Sequence, residues 1–477
     1  MRTLRARGGI RVRVDGRPLW SARSRTASGE AAVVSTRRTG KAKQRARRAA
    51  RSSCKPADDS LAVFDGLIRE ILHTQGRDVL GSGDPLQAEM WASFLVGLFG
   101  SHPLIGEPDT VAALGGRFVS VARRTGTPVA GMSLRAIAAV ASGGLARQAV
   151  TAARGSAALG SSAPAWVELI GTAEPTGAWR ATDLCGDQDS VMVGFRYPDG
   201  AEHSIVVLID HALGGIAKDI AVLGPLEQVA ATWRGLSEVD LVDERAEIAA
   251  GRVVAAMELT SVTIDAPVGE DYRDYEALAR ARLEPIAVAP TGTGPLDPDE
   301  REALVRAFLA DPAGSRYAHD PDAWFLLDVM VDYRCDAQRR DPLRWSAGAA
   351  LLFLLDFVPR KITADLDNLA RFPEVLRAWV PWAAERAGLP ASIAEETLKV
   401  IDDVEPEFRG ATADEARWGP AKTLAMSMLA DGVDPSDVDA ANAWLEVHGA
   451  SLLGRSGARL PERELLDEEA VSFVALG

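Results

Sequence analysis

Apolar residues first recur at a helical interval just past Ser60, where Leu61, Phe64, Leu67, Ile68, Ile71 and Leu72 form one stripe at three-to-four spacing. The stripe breaks at GSGDP (81–85). Asp84 reads as the cap of a second helix, with Pro85 in its first position and Gln87 closing a capping box ahead of MWASFLVGLFG. Alanine-rich helical stretches, punctuated by Gly and Pro, continue over 109–158. Four or five short helices are therefore expected in the first ordered hundred residues.

The character changes at about Pro164. AWVELIGTA (165–173), GAWRATDL (177–184), SVMVGFRY (190–197), HSIVVLID (203–210) and IAKDIAVL (216–223) are short, β-branched or aromatic, and separated by turn residues. YPDGAEH between two of them is a hairpin signal with Asp199-Gly200 at its tip. These five segments predict an antiparallel meander. SIVVLI is apolar on both faces and should be the most buried strand. Helical patterns resume over 225–235, 244–260 and 270–283.

The Pro- and Gly-rich stretch EPIAVAPTGTGPLDPDE (284–300) is the best boundary in the chain, and 286–300 reads as a linker. Beyond it every pattern is helical. Asp297, Pro298 and Glu300 form a capping box, Asp320 and Pro321 open another helix, and Pro359 should end or kink the apolar helix before it. Seven to nine helices are expected over 301–477. The fold class is α+β: N-terminal helices plus a small antiparallel β-meander of about five strands over 58–285, followed by an all-α helical domain.

Residues 1–57 show no sustained apolar period and read as a disordered arm. Composition sharpens that reading. The chain of 477 residues is 47% hydrophobic and 25% charged, as a soluble globular protein of two or three domains would be. Its net charge of −14 hides a division: residues 1–57 hold 17 Lys and Arg against Asp15 and Glu30, a charge of +15, so the remainder carries −29. The dense run includes Arg37, Arg38, Lys41, Lys43, Arg45, Arg47, Arg48 and Arg51. Such a run can contact nucleic acid or another acidic macromolecule through phosphate or carboxylate neutralisation; the bland reading, preferred here, is a solvated tail with no fixed partner. Val33 and Val34 offer an alternative start, which would leave 1–33 untranslated.

Three cysteines (Cys54, Cys185, Cys335) are too few and too scattered for a disulfide framework or a CxxC site. The first sixty residues hold no apolar core of seven or more, so no secretory signal is expected, and the longest apolar run, AGAALLFLLDFV (347–358), is too short to span a bilayer and carries Asp356. A cytoplasmic location and no membrane partner are expected. The chain lacks GxxxxGK[ST], a strand-associated GxGxxG, GxSxG and HExxH. His203 and His211 flank one strand, roughly 26 Å apart in extended chain, so they cannot share an ion. No cofactor is expected.

Two clusters remain as candidates. In IDHALGGIAKD (209–219), a two-residue turn at Gly214-Gly215 would set Asp210 opposite Asp219 and His211 opposite Lys218, enough for general acid–base chemistry. A turn one residue earlier would pair Asp210 with Ala217 and disperse the group. The structural reading, preferred here, is that these polar residues end a strand and satisfy loop backbone groups. In the helical region, Asp328, Asp332 and Asp336 share a face at i, i+4, i+8 on the 322–337 helix. Asp328 and Asp356 each sit within an apolar run and are expected to be buried. Asp328, Asp332 and Asp356 could grip a divalent cation. The preferred alternative pairs such carboxylates with Arg360 at i+4 from Asp356, and with Arg334, Arg339, Arg340 and Arg344. The tryptophans, as at Trp379 and Trp382, fall at helical spacing and read as core.

FRYPDGAEHSIVVLIDHALGGIAKD (195–219) and VDYRCDAQRRDPLRWSAGAALLFLLDFVPRK (331–361) resemble uncharacterised proteins of high-GC Gram-positive, actinobacterial type. That resemblance implies no activity and no site residues; it implies that the sheet and the helical region form one recurring unit. The expectation is a non-enzymatic cytoplasmic protein that binds another macromolecule, with nucleic acid as the candidate partner of its basic arm. The alternative is a hydrolase-type enzyme working at 210–219 or at the carboxylate face.

Overall fold

The computed structural model describes residues 61–101, 108–155, 163–289, 296–435 and 437–456. The chain is α+β, with helices first, then a five-stranded antiparallel sheet, then a helical C-terminal region. Among the described residues six α-helices precede the sheet: α1 (Asp65–His73), α2 (Gln75–Gly81), α3 (Pro85–Ser101), α4 (Pro108–Thr125), α5 (Pro128–Val140) and α6 (Gly143–Arg154). Asp84 caps α3 as its sequence requires, its Oδ1 accepting from the Leu86 amide at 2.9 Å.

The sheet comprises β1 (Glu174–Asp183), β2 (Gln188–Arg196), β3 (Glu202–Asp210), β4 (Ile216–Leu223) and β5 (Val239–Glu244), in the order β4-β3-β2-β1-β5. Two expectations are corrected here. AWVELIGTA is no strand: Ala165–Leu169 is a 3-10 turn and Gly171 reverses the chain at φ +81°. The fifth strand is β5, VDLVDE, whose acidic alternation suits an edge and hides it from a search for apolar runs. β3 is well buried, but it shares that burial with β2, the middle strand.

Between β4 and β5 lies α7 (Leu226–Trp233), and two helices follow the sheet, α8 (Ala246–Val262) and α9 (Glu270–Leu283). One sheet face, with Val191, Val193, Ile205 and Val207, joins the main N-terminal core against α8 and the early helices. The other face, with Ala181 and Met192, is covered by Leu226 and Val229 of α7. A separate apolar core occupies the C-terminal helices, from Val305 to Phe408, and contains Trp379 and Trp382.

That second region opens with α10 (Pro298–Ala310), where the Asp297–Glu300 capping box forms in full, and α11 (Pro321–Asp332), capped by Asp320. A wide π-turn, Tyr333–Ala337, continues α11. A second π-turn, Phe353–Phe357, interrupts the helical course from Ala347 to Lys361 just before Pro359. Proline lacks the donor that a regular turn would need there, and the widened turn takes up the mismatch. The rings of Tyr333, Trp345, Phe353 and Phe357 pack together where the two wide turns meet.

Candidate functional site at the hairpin tips

The β1–β2 turn, 183–189, reads DLCGDQD, and its three aspartates do different things. Asp183 folds the turn onto itself: its carboxylate accepts from the Cys185 amide at 2.8 Å and from the Gln188 amide, while Gly186 turns at φ +71°. Burial and then the charge of Asp187 raise the Asp183 carboxyl against the pull of those amides. Asp187 points into the helical region. Its Oδ1 accepts from Arg334 Nη1 at 2.9 Å, and its Oδ2 accepts from the Ser346 hydroxyl. Arg334 is fully buried, and its Nη2 donates to the Cys185 carbonyl at 3.2 Å.

Asp189 is the hub of the second layer. It is 2% exposed and meets Thr182 Oγ1 at 2.6 Å, His211 Nε2 at 2.9 Å and Arg340 Nη2 at 3.2 Å, with Arg180 at 3.5 Å. Burial pushes its carboxyl up, but the His211 hydrogen bond, the charges of His211 and Arg340, and the Thr182 hydroxyl together hold it well below the usual range. Arg340 reaches this point because Arg339 adopts φ +53°, and the Arg340 amide then closes on the Arg334 carbonyl at 2.7 Å. This closure resembles a Schellman motif made one residue wider by the π-turn.

The β3–β4 hairpin corrects the expected register. Asp210 pairs with Ile216, Ile209 with Ala217 and Leu208 with Asp219, so Lys218 is the extra residue of a bulge. Gly214 and Gly215 do turn at φ +88° and +92°, but within a longer loop closed by the Gly215 amide on the Asp210 carbonyl at 2.9 Å. The bulge turns Lys218 back, and its Nζ donates to Asp210 Oδ2 at 2.8 Å. Asp210 also accepts from the Leu213 amide at 3.2 Å and Gln188 Nε2 at 3.3 Å. Asp219 lies elsewhere, its Oδ1 accepting from its own neighbour's amide at Ile220 and its carboxylate resting on Gly269. Asp210 and Lys218 thus meet each other, His211 meets Asp189, and Asp219 joins neither pair.

The carboxylate face of α11 also differs from expectation. Asp328 and Asp356 are exposed rather than buried, because each apolar run turns its polar position outward. Asp356 pairs with Arg360 Nη2 at 2.7 Å, the i+4 partner anticipated for it. Arg301 of α10 gathers Asp332 at 2.8 Å and Asp336, leaving Asp328 outside the pair. Partial desolvation and the like charges of Asp332 and Glu302 push Asp328 up to about 6. Among the described residues no group of three or more His, Cys, Asp or Glu side chains is placed to hold a metal ion. Cys185 and Cys335 are buried free thiols, pushed up to about 12 and about 11 chiefly by burial, so neither supplies a thiolate at neutral pH.

The nucleic-acid candidates, Arg37 through Arg51, lie outside the described residues. Asp187, Asp189, Ser346 and Gln338 escaped the sequence reading. The signal was three aspartates and a glycine within seven positions between two strands. Among the described residues no helix is long and apolar enough to cross a membrane. No protein-family model, no curated protein and no solved structure matches the sequence.

Proposed function

We propose that this chain acts by binding and not by catalysis, and that its basic segment, Arg37, Arg38, Lys41, Lys43, Arg45, Arg47, Arg48 and Arg51, contacts nucleic acid through phosphates. One observation carries the first half: the groups with acid–base potential at the hairpin tips are spent on one another. Asp210 is held by Lys218 and Gln188, Asp189 by His211 and Arg340, and Asp187 by Arg334. Such an arrangement fixes two strand turns against a helical region. The charge division of the sequence supports the second half.

Titration of a labelled random-sequence duplex at 50 and 200 mM salt tests the binding reading. With six or more phosphate contacts the affinity should fall about 10³-fold or more over that range. Changing the eight named cations to glutamine should abolish the salt dependence. Binding that ignores salt, or that survives the eight substitutions unchanged, would refute it.

A hydrolase-type enzyme is the second reading, favoured by one observation. His211 retains 16% side-chain exposure while its Nε2 rests on the buried Asp189 carboxylate at 2.9 Å, a contact that fixes the orientation of the ring. Turnover of p-nitrophenyl acetate that disappears in His211→Ala, with folding intact, would establish it.

A further inference from the structure

The edge of the sheet offers a surface that the hairpin tips do not. β5 pairs with β1 over Ala178–Asp183, and it has no second strand neighbour among the described residues. Half of its backbone N–H and C=O groups therefore face outward, a template for one more strand. Asp240, Val242 and Asp243 are exposed along it, with Glu238 just before it. At its C-terminal end, where β5 leaves β1 and turns into α8, a shallow concavity of about 490 Å³ is lined by Pro175, Gly177, three carboxylates (Asp243, Glu244 and Glu247) and one cation, Arg245.

The charge of this notch is only partly neutralised from within. Arg252 Nε reaches Glu244 Oε1 at 2.9 Å, but Glu244 Oε2 is buried without a hydrogen-bond partner. Arg245, exposed, stands 3.5 Å from Glu247. Acidic residues on an edge can serve solely to repel other strands. A guard of that kind has no need of a concavity, or of a carboxylate oxygen kept under the surface without a donor.

We infer that the outer edge of β5 receives a basic, extended peptide segment, added as a sixth strand with a Lys or Arg side chain seated in the notch. Side chains of an added strand repeat on one face every second residue. On the face shared by Asp240, Val242 and Glu244, the fitting sequence is basic, apolar, basic at alternate positions. Backbone hydrogen bonds to β5 supply the alignment, and the carboxylates select the charge. Its test does not involve nucleic acid.

The probe is a fluorescein-labelled ten-residue peptide repeating lysine, threonine, valine, threonine, which sets lysine and valine in turn along one face, titrated into the full chain and followed by anisotropy. Saturable binding is expected. The double variant Asp243→Lys, Glu247→Lys should weaken it at least tenfold, with far-UV circular dichroism unchanged. The same peptide N-methylated at alternate backbone amides should lose affinity at least tenfold at equal charge. Charge reversal at a distant exposed site, Glu395→Lys with Glu396→Lys, should leave it within twofold. The inference is overturned by absence of binding, by equal binding of the N-methylated peptide, or by an equal loss from the distant reversal. A wild-type dimer in sedimentation that Asp243→Lys, Glu247→Lys dissociates would overturn it as well, since a second copy would then own the edge.

Discussion

His203 is 1% exposed, its ring lying 5.6 Å from that of Phe195 and 5.4 Å from that of Tyr197, with neither ring nitrogen hydrogen-bonded. Beside it Arg282 is tied to Glu89 and to the Tyr197 hydroxyl. Burial, and then the Arg282 charge, hold the imidazole down to about 3. An unfolded histidine titrates near 6.5, so this depressed value contributes stability that is complete above about 6.5 and is lost as pH falls toward 3. The loss reaches up to ~1.4 kcal/mol per pH unit. His203→Leu should therefore flatten the pH dependence of the urea-unfolding free energy between those limits. A variant with the wild-type slope would show that the ring is not carried neutral in the fold. Single residues were unevenly legible in the sequence. The strand around His203 was readable from its apolar neighbours, while the link between His211 and Asp189 spans 22 positions and depends on pairing register.

At the scale of elements, close approach and exposure give opposite signs to the same substitution. Gly251 in α8 faces the backbone of Val288, where an added Cβ would lie 1.9 Å from a carbonyl oxygen. Gly410, exposed within the helix Ala391–Ala413, has nothing within 4 Å of that position. Gly251→Ala should cost about 1–3 kcal/mol through overpacking, whereas Gly410→Ala should add about 1 kcal/mol from helix propensity. Chemical denaturation of both variants checks the pair, and equal signs would contradict the packing described. What the sequence disclosed at this scale follows its range of action. The capping box at Asp297 and the cap at Asp320 are local, and both form. β5 was missed because an edge strand need not look apolar, and 165–173 was misread because Pro164 and Gly171 impose turns on strand-like residues. The π-turns leave no periodic trace of their own, yet one of them sets where Arg334 and Arg340 point.

For the whole molecule, the decisive interactions join parts of the chain about 150 residues apart. Arg334 to Asp187, Arg340 to Asp189 and Arg344 to the Leu184 carbonyl all run from the C-terminal helical region to the β1–β2 turn. The sequence offered Arg334 and Arg340 but not their acids, because interhelical partners were sought and the turn supplied Asp187 and Asp189 instead. A buried pair of this kind leaves an uncompensated charge when one side is cut, at about 3–5 kcal/mol, while an exposed pair such as Asp356–Arg360 contributes about 1 kcal/mol or less. The most direct test is a double-mutant cycle on Asp187→Ala and Arg334→Ala, read by urea unfolding, with Asp356→Ala and Arg360→Ala as the exposed reference. If the hairpin tips serve as the lock described, the double variant at 187 and 334 should be no less stable than the worse single one, giving a coupling of about 2 kcal/mol or more. Additive losses, with a coupling no larger than that of the exposed pair, would contradict it.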